Sequence, residues 1–357
     1  MTWQPVHTLY GGAHLFRPGI ARRAGEVALK AYEDHGYPLP LPAGVEERLR
    51  EKLRTQPVED FRIDFEDGFG VRSPEQEDEY ARAAARVVVS ALDLPPRCGI
   101  RIRPLAPPTE DRAVRTLTLF LEGVARRVPR DLVVTLPKIT SPREVSRLIE
   151  LLHPYPQVRV ELMIETPQAL RSVGQLVSAC EGRCAGVHFG AYDYLSALGI
   201  GFAGQTLRHP ACDFARSTMQ LQVADLGIPV VDGVTHLLPV GDTRAMHAAW
   251  KAHADCVRHA LMCGIYQGWD IHPAQLVSRY AAVYSYFAEF AEPAARRLKN
   301  FMEREQQATR IGAQFDDAAT VAGLKNFFER AIRCGALTAA EAQEMTCVDF
   351  STAAGQR

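Results

Sequence analysis

Eight short runs rich in β-branched and aromatic residues alternate with longer helical patterns up to about residue 290, and this rhythm dictates βαβ units and a parallel sheet. The runs are 7–16 (HTLYGGAHLF), 61–67 (FRIDFED), 99–105 (GIRIRPL), 132–139 (LVVTLPKI), 158–166 (VRVELMIET), 186–192 (GVHFGAY), 228–234 (IPVVDGV) and 268–273 (GWDIHP). The paired glycines Gly11 and Gly12 weaken the first of them as a strand. Between the runs, GVEERLREKLR, EQEDEYARAAARVVVSALD, RAVRTLTLFLEGVARRV and SPREVSRLIELLH read as helices, the last opened by Ser141 and Pro142. Eight strands with intervening helices favour a closed (βα)8 TIM barrel over an open doubly wound sheet. Past Glu292-Pro293 only helical patterns remain: 294–308, 321–335 and 338–345. The expected organisation is a barrel over 1–292 and a C-terminal helical appendage over 293–357, whose apolar stripes would dock on a neighbouring subunit.

With 41 basic and 42 acidic residues the chain has a formal net charge of −1, which gives no bulk attraction to nucleic acid or to a membrane surface. Its eight cysteines are scattered without CxxC or zinc spacing, as reduced thiols would be. There is no basic start followed by an apolar run at the N-terminus, and no apolar stretch of bilayer-spanning length, so a cytoplasmic protein is expected. The GxGxxG match at 199–204 (GIGFAG) follows a helical pattern rather than a strand and reads as a loop near the barrel mouth, not a dinucleotide fingerprint.

Charge stands where barrel strands should be apolar. Successive strand residues face opposite ways. Phe61, Ile63 and Phe65 oppose Arg62, Asp64 and Glu66; Ile100 and Ile102 oppose Arg101 and Arg103; Val160, Leu162 and Ile164 oppose Glu161, Met163 and Glu165. The apolar parity must meet the helices, so the charged parity points into the lumen or its mouth. Burying that much charge is costly unless it is paired or binds an ion. Several of these groups, with Lys138 and Asp193, lie at the C-terminal ends of their strands, where barrel enzymes carry their chemistry.

The ordered motifs DFEDG (64–68), IRIRPL (100–105), LPKITSPREV (136–145), ELMIETPQAL (161–170), FGAYDYLSALGI (189–200), ARS (215–217), GIPVVDGV (227–234) and IHPAQL (271–276) resemble those of the citrate lyase beta-subunit family, also called HpcH/HpaI aldolase-like. The resemblance covers roughly residues 60–290. It implies a TIM barrel of the phosphoenolpyruvate/pyruvate class, a homotrimer or hexamer, and cleavage of a carbon–carbon bond through an enolate. It further implies Glu165 and Asp193 as Mg2+ ligands, Arg101 on the carbonyl or enolate oxygen, Asp64 and Glu66 as the acidic pair near the metal, and Lys138 as the lysine of the LPK motif. Two positions depart from the family: Gly268 stands where relatives often have Lys, and Arg103 where they often have Asn.

Two carboxylates completed by water suit Mg2+, which would chelate a substrate's oxygens as a Lewis acid. Arg101 is expected on substrate and in catalysis, with Arg103 a second substrate contact. The base is Asp64, Glu66 or a residue of a neighbour's tail. Each residue also has a plainer use. Glu165 could pair with Arg101, Asp193 could cap the helix that follows it, and Lys138 suits an ion pair better than a Schiff base. The expected function is a Mg2+-dependent lyase or aldolase acting on a small hydroxy or oxo acid or its CoA thioester. The alternatives are a phosphoenolpyruvate-type mutase or hydrolase on the same barrel, and a non-catalytic metabolite-binding partner subunit.

Overall fold

A computed structural model of the chain describes residues 3–303, 309–311, 314–316 and 318–354. Eight strands appear in the expected order: β1 (His7–Gly12), β2 (Asp60–Asp64), β3 (Arg97–Arg101), β4 (Leu132–Leu136), β5 (Arg159–Ile164), β6 (Cys184–Phe189), β7 (Val230–Asp232) and β8 (Gln267–Asp270). All pairings are parallel and sequential, and β8 returns to β1 to close the barrel. Most strands end a few residues earlier than the β-branched runs suggest, and those last residues turn instead into the loops of the C-terminal mouth.

Outward parity supplies the contact with the helices: Phe61, Ile63, Ile100, Val134, Val160, Leu162 and Val187 are buried in the main apolar cluster. The paired glycines of β1 also have a packing reason. A Cβ on Gly11 would lie 2.7 Å from the Phe61 ring, and one on Gly12 would lie 2.2 Å from the Gly68 carbonyl oxygen. No larger residue fits there, so the strand tolerates their low propensity. Ser141 caps the helix Pro142–Leu151, its side chain accepting from the Arg143 N–H, and Pro142 fills the first turn.

Inward parity carries a fully buried charge layer. Arg62 Nη2 donates to Asp60 Oδ2 at 2.8 Å and to Glu161 Oε1 at 2.9 Å. Thr135 donates to the other Glu161 oxygen at 2.9 Å, and His188 Nε2 lies 3.3 Å from it. Burial opposes charge on Glu161, but Arg62 and His188 outweigh burial and hold this carboxyl well below its ordinary range. Asp60 moves the other way: burial, reinforced by the Glu161 charge, pushes it up against Arg62.

After the barrel, one helix runs from Gln275 to Glu303 straight through Pro293, so the boundary expected at 292/293 falls inside a continuous element. The expectation of no strands beyond it is corrected by a small antiparallel pair, Thr309–Ile311 with Gln314–Asp316. The helices expected at 321–335 and 338–345 occur as Ala318–Cys334 and Ala339–Thr346, the second opened by a capping box between Thr338 and Glu341. The end of the helix expected at 294–308 lies outside the described residues. Leu298, Phe328, Ile332, Ala342 and Phe350 form a separate apolar cluster, which covers within the chain the stripes that suggested a neighbouring subunit. No helix among the described residues is long and apolar enough to cross a membrane.

Removing the cation of the lumen should expose its cost. Arg62→Met leaves Asp60 and Glu161 buried without their shared partner, and we expect a loss of about 3–5 kcal/mol in denaturant unfolding. The loss should shrink as pH falls, because protonation removes the unpaired charges. Stability equal to the parent at neutral pH would show that the layer is not balanced by Arg62.

Candidate functional site

The mouth begins where β2 ends. Asp64 closes β2 and Arg101 closes β3, and the two are register partners on adjacent strands. Arg101 donates Nε to Asp64 Oδ1 at 2.7 Å and Nη2 to Oδ2 at 2.5 Å, a forked pair buried on both sides. The backbone N–H groups of Glu66 and Gly68 donate to the same two oxygens, at 2.9 and 2.7 Å. Four donors take the lone-pair sites of one carboxylate. Asp64 therefore orients Arg101 and the loop after β2, and has no free oxygen with which to take a proton.

Arg101 keeps its remaining guanidinium nitrogen for the mouth. Nη1 lies 3.1 Å from Glu66 Oε2 and 3.8 Å from Asp67 Oδ2. Below the guanidinium lie the rings of Tyr10 and Trp269, with centroids 5.1 and 6.0 Å from Cζ. Trp269 is fixed in turn by donating its indole N–H to the Phe189 carbonyl at 3.1 Å. This floor separates the mouth from the Arg62 layer and fixes the plane of the fork.

Lys138 and Glu165 meet across the loops after β4 and β5. Lys138 has φ 51°, the left-handed region that a residue with a side chain rarely enters, and it follows Pro137. That conformation aims its backbone N–H at Glu165 Oε1, 2.5 Å away. Its ammonium lies 2.5 Å from Asp193 Oδ2, 3.6 Å from Glu66 Oε1, 3.7 Å from Asp67 Oδ2 and 3.9 Å from Glu165 Oε2. Asp193 stands in the first turn of the helix Ala191–Ala197, and no side-chain cap bond forms at that helix, so its carboxylate serves the mouth.

The electrostatics show a cluster with more negative charge than its cations neutralise. Burial pushes Glu165 up to about 8; the Glu66 and Asp193 charges add to the rise, while Lys138 and Arg101 resist it. Glu66 rises to about 7, again chiefly from burial, against Arg101 and Lys138. For Lys138, burial alone would lower the ammonium, but Glu165, Glu66 and Asp193 override it and raise its pKa. Among the described residues, no three His, Cys, Asp or Glu side chains converge at metal-ligand spacing. Hard carboxylate oxygens short of positive charge nonetheless fit Mg2+, which asks for one or two protein carboxylates and keeps its waters. Glu165 and Asp193 would be those two.

Of the residues expected from sequence, Asp64, Glu66, Arg101, Lys138, Glu165 and Asp193 come together. Arg103 does not. It donates Nε to Glu77 Oε2 at 3.0 Å, on the helix Pro74–Ser90, where Glu77 also receives Arg112 and Thr116. The alternation that placed Arg103 inward holds only to the end of β3 at Arg101. Two further groups reach the rim. Asp67 is drawn below its ordinary range by Arg101, Glu66 and Lys138 in spite of burial. His236, just past β7, stacks on Tyr192 with centroids 3.3 Å apart. Asp67 lies within the DFEDG motif, though the sequence reading assigned it no role, whereas His236 carries no motif signal. GIGFAG (199–204) is a loop as expected: Gly199 adopts φ 75° after the helix Ala191–Ala197, and a 3-10 turn follows.

A parallel eight-stranded barrel with a polar cluster at its C-terminal mouth is the arrangement in which TIM-barrel enzymes of many chemistries place their sites. The chain belongs to the family described as a domain of unknown function (DUF6986), whose profile matches residues 1–357. No curated protein matches the sequence. In structure it is similar to a citrate lyase from Burkholderia xenovorans, at 20% identity over 96% of each chain with a TM-score of 0.69. It is also similar to CitE from Mycobacterium tuberculosis, solved with magnesium, acetoacetate and coenzyme A. That match has 20% identity, 92% of this chain, 97% of that one and a TM-score of 0.59. A further match, RipC from Yersinia pestis, has 19% identity, 79% of this chain, 96% of that one and a TM-score of 0.52. At such identity the likeness is one of fold, and it lies with the citrate lyase beta and CitE group that the motif order resembles.

Close packing around Glu165 gives a test of this geometry. Gly190 has φ −95°, open to any residue, yet a Cβ there would sit 2.3 Å from the Glu165 Cβ and 2.6 Å from its Oε2. Gly190→Ala should displace that carboxylate and weaken Mg2+ binding by about 10- to 100-fold, the range for residues that orient a metal's ligands. Calorimetric titration would read it, and unchanged affinity in a folded variant would remove Glu165 from the metal site.

Proposed function

We propose that this protein is a Mg2+-dependent carbon–carbon lyase or aldolase that cleaves or forms a small hydroxy or oxo acid, or its thioester, through an enolate. One observation carries the reading. At the barrel mouth Glu165 and Asp193 share a cation position, and the forked, oriented Arg101 stands beside the same acidic cluster. The magnesium and acetoacetate bound by the CitE structure support the same substrate class.

When bound, Mg2+ supplies Lewis acidity toward the substrate's oxygens. The chain's own residues do the rest. Arg101, held in one plane by Asp64 and by the Tyr10–Trp269 floor, offers Nη1 to an oxygen whose charge grows as the bond to carbon breaks. A preset donor aimed at developing charge favours the transition state over the ground state. Glu66 is the carboxylate left to move protons. It borders both Arg101 and Lys138, and its rise to about 7 makes it half-ionised near neutral pH. It would take the hydroxyl proton in cleavage and return it in condensation. Lys138 balances the acidic cluster through its ammonium, and its backbone N–H holds Glu165 in place.

Two measurements test the proposal. Glu165→Gln should abolish Mg2+ binding to protein first stripped with EDTA; retained affinity would place the metal elsewhere. With a substrate found by screening hydroxy acids, oxo acids and their CoA thioesters, Arg101→Lys should lower kcat by about 100-fold or more, the effect of losing one preset oxyanion donor. A near-parental kcat with an unchanged melt would make Arg101 a bystander.

A further inference from the structure

The face of the barrel opposite the mouth holds a cavity of about 600 Å³, walled by the N-terminal strand ends on one side and the helix Ala318–Cys334 on the other. Four arginines line it: Arg97 at the start of β3, Arg159 at the start of β5, and Arg330 and Arg333 on that helix. Among the described residues, no Asp, Glu or Lys lines it. Such a volume matches that of small-molecule sites in general.

Three of these arginines, Arg97, Arg159 and Arg330, are held by uncharged neighbours. Arg97 is 8% exposed and, among the described residues, makes no hydrogen bond or ion pair through its side chain; the ring of Trp3 lies 5.6 Å from its Cζ. Arg330 stacks on Tyr266 at 4.0 Å and donates Nη1 to the Gln4 side-chain oxygen at 3.1 Å, an uncharged partner. Burial lowers its pKa, the mark of a cation short of counter-charge. Arg159 donates Nη2 to the Cys184 carbonyl at 2.7 Å, again uncharged. Arg333 pairs with the Glu329 carboxylate at 3.3 Å on its own helix, and Glu329 also opposes the fall at Arg330 while the Arg333 charge adds to it. Arg97 also feels the Asp60 and Glu161 charges, and these carboxylates already bind Arg62 in the lumen. Ring faces that carry guanidinium planes leave the N–H forks pointing sideways, the geometry that takes phosphate or carboxylate in bidentate pairs.

We infer that this floor cavity is a second binding site, taking a small polyanion, a phosphate ester or a di- or tricarboxylate, between the barrel and the C-terminal helices. The apolar part of the wall, with Val6, Val230, Val283 and Phe287, gives such a ligand a place for a carbon skeleton or ring. Because the arginines come from both the barrel and the appendage, an anion there ties the two together. The site needs none of the mouth residues, so it stands or falls apart from the lyase reading.

The test is calorimetry and thermal melting of the full chain with pyrophosphate, ATP and citrate as separate probes, at low and physiological salt. We expect saturable binding of at least one probe near equimolar stoichiometry, with a melting temperature that climbs with its concentration. Arg330→Gln and Arg159→Gln should each weaken that binding by about tenfold or more, the effect of losing a charge-assisted contact, with the melt of the ligand-free protein unchanged. Arg101→Lys, at the mouth, should leave it intact. A preference for pyrophosphate and ATP would mark a phosphate ester, and one for citrate a polycarboxylate. Absence of binding by all three probes would overturn the inference. So would binding that survives both floor variants, or binding lost with Arg101→Lys.

Discussion

Positive charge placed inside a barrel of carboxylates is the constraint on which the rest of the molecule depends. In the lumen, Arg62 is wholly buried between Asp60 and Glu161. One turn of the pleat higher, Arg101 plays the same part for Asp64 and Glu66. Without these cations neither layer could stay ionised in so dry a place. In the lower layer both Glu161 oxygens are taken, by Arg62 and Thr135, with His188 beside them. The upper layer is open on one side, with Glu165 and Glu66 held near neutral pKa by burial. An unfinished charge balance is what a structural ion pair avoids and a metal site requires.

The eight strands and their order were legible because the outer face of a barrel strand must be apolar on alternate residues, and Phe61, Ile63, Ile100, Val160 and Leu162 obey that rule. Asp64, Glu66, Arg101 and Glu165 were legible for the same reason, since charge on the opposite parity has nowhere else to go; Lys138 and Asp193 were legible only from the order of the motifs. The limits are physical too. Parity lapses where a strand ends, and this sent Arg103 to Glu77 rather than into the mouth. Hydrogen-bond saturation leaves no trace in sequence, so Asp64 could not be told from a base until its four donors were seen. Pro293 marks no helix end, because the stretch around it, with Ala291, Ala294, Ala295 and Leu298, packs against the C-terminal helices and the helix continues to Glu303.

Rims and floors are the least legible parts. His236, in the loop after β7, meets Tyr192, in the helix after β6, and His236 sits in no periodic pattern. The arginines of the floor come from positions as distant as 97 and 333, and only closure of the barrel and docking of the C-terminal helices bring them to one cavity. Fold-level likeness to citrate lyase and CitE speaks to the scaffold. The chemistry must be argued from the charges that this chain places on it.

The central claim is that the acidic cluster at the mouth is a divalent-cation site with Arg101 beside it. The most direct measurement is anomalous diffraction from crystals soaked in Mn2+ with oxaloacetate or pyruvate. The account predicts one strong peak between Glu165 and Asp193, the Lys138 ammonium moved off Asp193, and an oxygen of the acid within hydrogen-bond reach of Arg101. A mouth without a peak, with Lys138 still on Asp193 and the acid bound elsewhere, would contradict it.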